Sequence, residues 1–193
     1  MASDENIFAG VDISSGRRPV TFAALNDKLE LVTLAQLGVT EGIACLKEYE
    51  SIQLAINTPT AKGGQNIFSD FQIQMKEVGF KHFAEKNSSF LWIASNADEC
   101  YRVFQPGLLS RRTLEGRIQR GLILYEAGLQ INDAMDFFEE ITRHKLMQGL
   151  LPTETIYTSK QLDALVMAYL AWMAGNPSEK VITRGNLYLP AAE

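Results

Sequence analysis

An apolar run that ends on a carboxylate constrains this chain more than any other feature. Ile7-Phe8-Ala9-Gly10-Val11 leads straight into Asp12; the small polar turn Ser14-Ser15-Gly16 follows, and then a second extended run, Pro19 to Leu25. A continuous apolar run bounded by turn residues predicts a strand buried on both faces. A carboxylate at the end of such a strand is costly to bury unless a partner or a cation compensates it. Asp12 is therefore the first candidate for a working residue. The alternative is that it caps the Ser-Ser-Gly turn through an Asx-type bond.

Beyond the second run, Asn26-Asp27-Lys28 reads as a turn and Leu29 to Leu34 as a third strand, so the opening predicts an antiparallel meander. Thr40 is placed to cap a helix through about Glu48, and Ile52 to Ile56 is a strand that ends at Asn57. A helix between two strands fits a crossover, which would add that strand parallel to a neighbour. The loop from Asn57 to Gln65, with Pro59, Lys62, Gly63 and Gly64, lacks Walker A spacing but follows a strand end, where open α/β sheets bind ligands. Asp70 to Val78 is weakly helical, Phe90 to Ala94 is a strand candidate, and Glu99 to Phe104 is a further one.

The second half predicts helices. Thr113 to Ala127 carries Leu114, Ile118, Leu122 and Tyr125 at helical spacing and begins in a basic cluster, Arg111, Arg112, Arg117 and Arg120. That cluster is either a solvated face paired with Glu115 and Glu126 or a patch for phosphates. Asn132 is placed to cap a helix from Asp133 to Met147, and His144 and Lys145 suit its C-terminus. Ser159 is placed to cap the last helix, to Ala174, with Asp163 in its first turn beside a wide apolar stripe. Asp163 is either a carboxylate favoured near a helix N-terminus or a second metal ligand aimed at the sheet. A tail from Val181 to Pro190 closes the chain.

Composition narrows the classes. With 193 residues, 46% hydrophobic and 21% charged, the chain suits one globular domain, 1–193, rather than a disordered segment. No apolar run is long enough to cross a bilayer, the start Met1 to Glu5 lacks a secretory pattern, and the expected location is the cytoplasm. Cys45 and Cys100 make no zinc or disulfide pattern, and two histidines make a histidine-based site improbable. A net charge of −5 leaves no global footprint for nucleic acid, so any such binding rests on a local patch.

Several pieces then line up: G-V-D ending strand one, A-I-N-T-P ending strand four, R-R-T-L-E-G-R-I-Q-R mid-chain, and Q-L-D-A-L-V-M-A-Y-L-A-W in the last helix. Together they make the chain resemble the predicted nucleases of domain of unknown function 429, over nearly its whole length. The resemblance implies an α/β, RNase H-like fold: a five-stranded mixed sheet, strands one to three antiparallel and later strands parallel, with helices on both faces. It also implies carboxylates converging on Mg²⁺ or Mn²⁺ for phosphodiester hydrolysis. Carried over by position, the catalytic and metal-holding residues are Asp12 and Asp163, with Asn57 in the third place and Arg111, Arg112 and Arg117 for phosphates. Two departures stand out. The strand-four position, an aspartate in such families, is Asn57, and the Tyr101-Arg102-Val103-Phe104-Gln105-Pro106 segment lacks the expected glutamate, Glu99 being the nearest.

Three functions follow as expectations. The first is a metal-dependent nuclease with a partly eroded carboxylate site, with nucleic acid as partner. The second is a non-catalytic binding or scaffold protein on the same fold, pointed to by Asn57 and the acidic net charge; under any of these readings a homo-oligomer is a candidate assembly. A third is a phosphate-binding domain of the actin and sugar-kinase type, because Gly10 to Gly16 also looks like G-x-D-x-S-x-G. Those proteins enclose a nucleotide between two such domains, and this length supplies one.

Overall fold

A computed structural model describes residues 6–13, 19–59, 65–85, 88–138 and 140–191. The opening strands β1 (Ile7–Asp12), β2 (Val20–Leu25) and β3 (Leu31–Leu37) form the expected antiparallel meander. Helix α1 (Val39–Leu46) carries the chain over to β4 (Ile52–Asn57), which pairs parallel to β1. Helix α2 (Gln65–Val78), the two-residue strand β5 (Lys81–His82) and β6 (Phe90–Ser95) extend the sheet. Then come α3 (Ala97–Phe104), α4 (Leu114–Glu126), α5 (Glu140–Met147), α6 (Ser159–Gly175) and the hairpin β7 (Val181–Arg184) to β8 (Leu187–Pro190).

The main sheet has six strands in the order β3-β2-β1-β4-β6-β5, antiparallel from β1 to β3 and parallel from β1 through β5. This corrects the expected count of five. Lys81-His82 is too short and too polar to read as a strand, and it pairs only because β6 offers it an open edge. Every residue of β1 and β2 is buried, as a strand covered on both faces requires. Alternate side chains feed two cores. Ile7, Ala9 and Val11 pack with Ile43, Phe71 and Met75 from α1 and α2 on one face. Phe8, Ala55 and Ile93 pack with Leu165, Ala168 and Leu124 from α6 and α4 on the other.

Helix α6 is the member that seats the second core. It is apolar nearly all round, the pattern of a helix buried within a fold. It reaches the sheet at Gly10, where an added Cβ would stand 2.0 Å from Ala164 O and 2.3 Å from Ala168 N. Both are backbone atoms, so no side-chain rotation relieves the clash. The absence of a side chain at Gly10 therefore sets how closely helix and strand approach.

Several expected elements shift. Glu99 to Phe104 is part of helix α3, not a strand: Ala97, Cys100 and Tyr101 are buried and Phe104 partly so, at helical spacing, and Asn96 caps the helix by accepting from Glu99 N at 3.1 Å. The helix expected from Asp133 to Met147 is two elements. Ala134–Phe138 is a 3₁₀ turn, because Ala134 and Phe137 eclipse and bury together, and α5 follows. Helix α1 starts after Gly38, whose N–H donates to Glu41 Oε2, so Thr40 lies inside it. Leu29 sits in a left-handed turn at φ 61°, which delays β3 to Leu31. Helix α6 is capped by Thr158, not Ser159, with Gln161 reaching back to Thr158 N. The Ser14-Ser15-Gly16 turn and the Lys62-Gly63-Gly64 part of the fourth-strand loop lie outside the described residues. No helix among the described residues is long and apolar enough to cross a membrane.

Gly10→Ala is expected to lower unfolding free energy by about 3 kcal/mol or more, since a buried methyl must displace α6 as a unit. A urea midpoint that falls with an unchanged slope checks this. Wild-type stability in the variant would refute the close approach.

Candidate functional site

The site begins as a row across the sheet. Thr21 on β2 pairs with Asp12 on β1, Asp12 with Asn57 on β4, and Asn57 with Ser95 on β6. Cross-strand partners point to the same face, so four polar side chains line up at the carboxyl ends of the three parallel strands. All four are buried.

Asn57 is locked by what it touches. The amide N–H of Ala97, at the first turn of α3, can only donate, and it donates to Asn57 Oδ1 at 3.0 Å. The other end of the side chain must then be the donor, and Nδ2 donates to Asp12 Oδ1 at 2.9 Å. An aspartate here would face Asp12 with a second negative charge. The neutral amide instead compensates Asp12 by a charge-assisted bond. At the far end of the row, Ser95 Oγ donates to Tyr188 O and lies 3.3 Å from Cys100 Sγ. Burial pushes the Cys100 thiol up to about 12, so it stays protonated and acts as a donor to Ser95 rather than as a nucleophile.

Asp163 arrives from above. It stands at the start of the second turn of α6 and not in the first turn as expected, because the cap lies one residue earlier, at Thr158, and it is 1% exposed. Its Oδ2 accepts from Arg111 Nη1 at 2.8 Å, while Oδ1 is buried with no hydrogen-bond partner among the described residues. Loss of hydration and then the charge of Asp12 push the Asp163 carboxyl up to about 7, against the pull of Arg111. The influence of Asp12 marks the two acids as neighbours. Tyr101, buried beneath, donates its hydroxyl to Leu162 O at 2.9 Å and ties α3 to the start of α6.

The basic cluster divides. Arg111 is spent on Asp163, whereas Arg112 is exposed and Arg117 half-buried at the start of α4. Arg120 is buried: Nη1 donates to Leu109 O and Gly116 O, Nη2 to Asp98 Oδ1 at 3.1 Å, and the guanidinium lies 5.3 Å from the centre of the Tyr101 ring. Asp98, Tyr101 and Ser95 are site neighbours that sequence reasoning missed, and Arg120, expected within the basic cluster, is instead a buried partner of Asp98. The Asn96-x-x-Glu99 spacing is a capping signal that could have revealed α3, and with it Asp98 facing α4.

The donor set can be weighed against a metal. Among the described residues, no three His, Cys, Asp or Glu side chains converge on one point. Two divalent ions need more negative charge than Asp12 and Asp163 carry, and the Asn57 carbonyl is already engaged. A single hard cation suits the pair, because such ions accept one or two carboxylates and complete their shell with water. Asp163 Oδ1 is a buried oxygen with no donor among the described residues, which a cation would satisfy.

Comparison with protein-family models, with curated proteins and with solved structures finds nothing that matches the chain.

A pH dependence follows from Asp163. Its carboxyl lies near 7 in the fold and near the ordinary 3.8 in the unfolded chain, so the folded state holds the extra proton between about pH 4 and about pH 7. Stability from this group is present at the acidic end of that window and declines as pH rises through it. Urea unfolding at several pH values is expected to show this decline in the wild type and a flatter profile in Asp163→Asn. Identical profiles would place the titration elsewhere.

Proposed function

We propose that the chain is a metal-dependent phosphodiester hydrolase of the RNase H-like type, working with one divalent cation, Mg²⁺ or Mn²⁺, and acting on nucleic acid. The observation that carries the reading is that Asp163 lies close enough to Asp12, at the carboxyl end of β1, for that charge to raise its carboxyl, with one buried oxygen of Asp163 lacking a donor among the described residues. That end of an open α/β sheet is where such folds bind ligands. The strand order β3-β2-β1-β4-β6 supports the fold assignment, with β5 as an addition at the edge.

Asp12 and Asp163 would hold the ion. When bound, a divalent ion supplies charge stabilisation to a phosphodiester under attack. Asn57 orients Asp12 through Nδ2, and α3 orients Asn57 in turn. Arg112 and Arg117 give the start of α4 a positive edge suited to backbone phosphates, although the chain is acidic overall.

A specific observation favours the second reading, a non-catalytic binding protein on the same fold. Asn57 is neutral and both its polar ends are hydrogen-bonded inside the protein, so it adds no third negative charge to hold a cation. Electron paramagnetic resonance of Mn²⁺, run beside cleavage of labelled DNA and RNA, separates the two. The hydrolase reading expects Mn²⁺ binding and cleavage, both lost in Asp12→Ala. Mn²⁺ binding with no cleavage selects the binding protein, and no Mn²⁺ binding at millimolar concentration overturns the hydrolase. Asn57→Asp restores a carboxylate and is expected to tighten Mn²⁺ binding by about tenfold or more.

A further inference from the structure

The two buried-side arginines of the site are held very differently. Arg120 is 3% exposed and donates to three acceptors over an aromatic ring, which makes it a fixed part of the core. The Arg111 side chain is 40% exposed, and among the described residues its guanidinium makes one bond, to Asp163 Oδ2.

The backbone of Arg111, in contrast, is pinned. Ser159 Oγ donates to Arg111 O at 2.7 Å. Ser159 and Asp163 are one turn apart on α6, so both face the segment that carries Arg111. On the other side, Ser110 O accepts from Thr113 N and Thr113 Oγ1 and packs against Gly116, where an added Cβ would stand 2.0 Å away. A rooted backbone with a half-exposed, singly bonded guanidinium leaves the side chain as the part free to move. Its planar fork suits a phosphodiester as well as a carboxylate.

We infer that Arg111 is an exchangeable counter-ion: it neutralises Asp163 while the site holds no cation, and turns to the phosphate of a bound phosphodiester when a divalent ion takes over that role. The inference rests on the metal reading above and deepens it by naming the residue that couples cation to substrate. Two cationic groups compete for one buried carboxylate, so Arg111 opposes cation binding until a phosphate draws it away. Linkage makes the effect reciprocal: cation and phosphodiester each strengthen the other's binding. Arg120 cannot serve, since moving it would strip Asp98 and two carbonyls of their donor.

The test measures Mn²⁺ affinity by electron paramagnetic resonance, with and without a phosphorothioate dinucleotide, a singly charged phosphodiester analogue that resists cleavage. Wild-type protein is expected to bind Mn²⁺ about tenfold tighter with the dinucleotide present. Arg111→Gln is expected to bind Mn²⁺ about tenfold tighter than wild type without it, and to gain nothing further when it is added. Arg111→Lys keeps the charge and is expected to resemble wild type in the absence of dinucleotide, and urea unfolding confirms that both variants are folded. Mn²⁺ binding that is unchanged or weaker in Arg111→Gln overturns the counter-ion role and leaves the metal reading standing. Absence of Mn²⁺ binding in wild type and Arg111→Gln alike overturns both.

Discussion

The structure depends on one steric fact: strand β1 has no side chain at Gly10, and the backbone of α6 lies in the space. The placement of Asp163 over the row of polar residues follows from that approach. With Ala164 and Ala168 against the strand, Asp163 is brought to the end of β1 where Asp12 stands. A helix held farther off by even one methyl would separate the acids and let water hydrate each of them. Packing at an apolar position thus sets the electrostatics of a polar one.

Two carboxylates buried together are unstable unless compensated, and the protein compensates them asymmetrically. Asp12 receives a neutral donor from Asn57, which is itself held by the first turn of α3. Asp163 receives a full positive charge from Arg111 on one oxygen and, among the described residues, no donor on the other. The remaining deficit appears as a carboxyl that titrates near neutrality. A carboxyl in that condition takes up a proton more readily than an exposed one, because burial and a neighbouring negative charge both disfavour its ionised form. Beside it, the buried Arg120 pairs with the partly exposed Asp98 and has additional carbonyl acceptors and an aromatic face, and that pair serves to lock α3 to α4.

The elements that differ from expectation share a cause. In α3, the Asp98-Glu99 charges interrupt the apolar pattern, so the run after them resembles a strand, while the cap at Asn96 and the buried Ala97, Cys100 and Tyr101 belong to a helix. Between Ala134 and Met147 the apolar residues satisfy a period near three as well as one near four, and contact decides between 3₁₀ and α geometry. Thr158 and Ser159 are both good caps. Thr158 wins because Gln161 completes its box, and the hydroxyl of Ser159 is left for the carbonyl of Arg111.

The sequence by itself determined the buried meander, the parallel crossover to β4, the placing of Asp12 and Asn57 at strand ends and that of Asp163 near the start of the last helix, because apolar periodicity and turn residues are local properties of the chain. Those signals also singled out Arg111, Arg112, Arg117 and Arg120 as one basic cluster. Only the tertiary structure decided that Arg111 meets Asp163 across fifty-two residues of chain, that Arg120 is buried and Arg112 is not, and that the Asn57 amide is turned toward Asp12. The physical reason is that burial, hydrogen-bond direction and charge pairing are set by which elements pack together. That choice was made by Gly10 and the small residues of α6, whose contribution to the site is the room they leave.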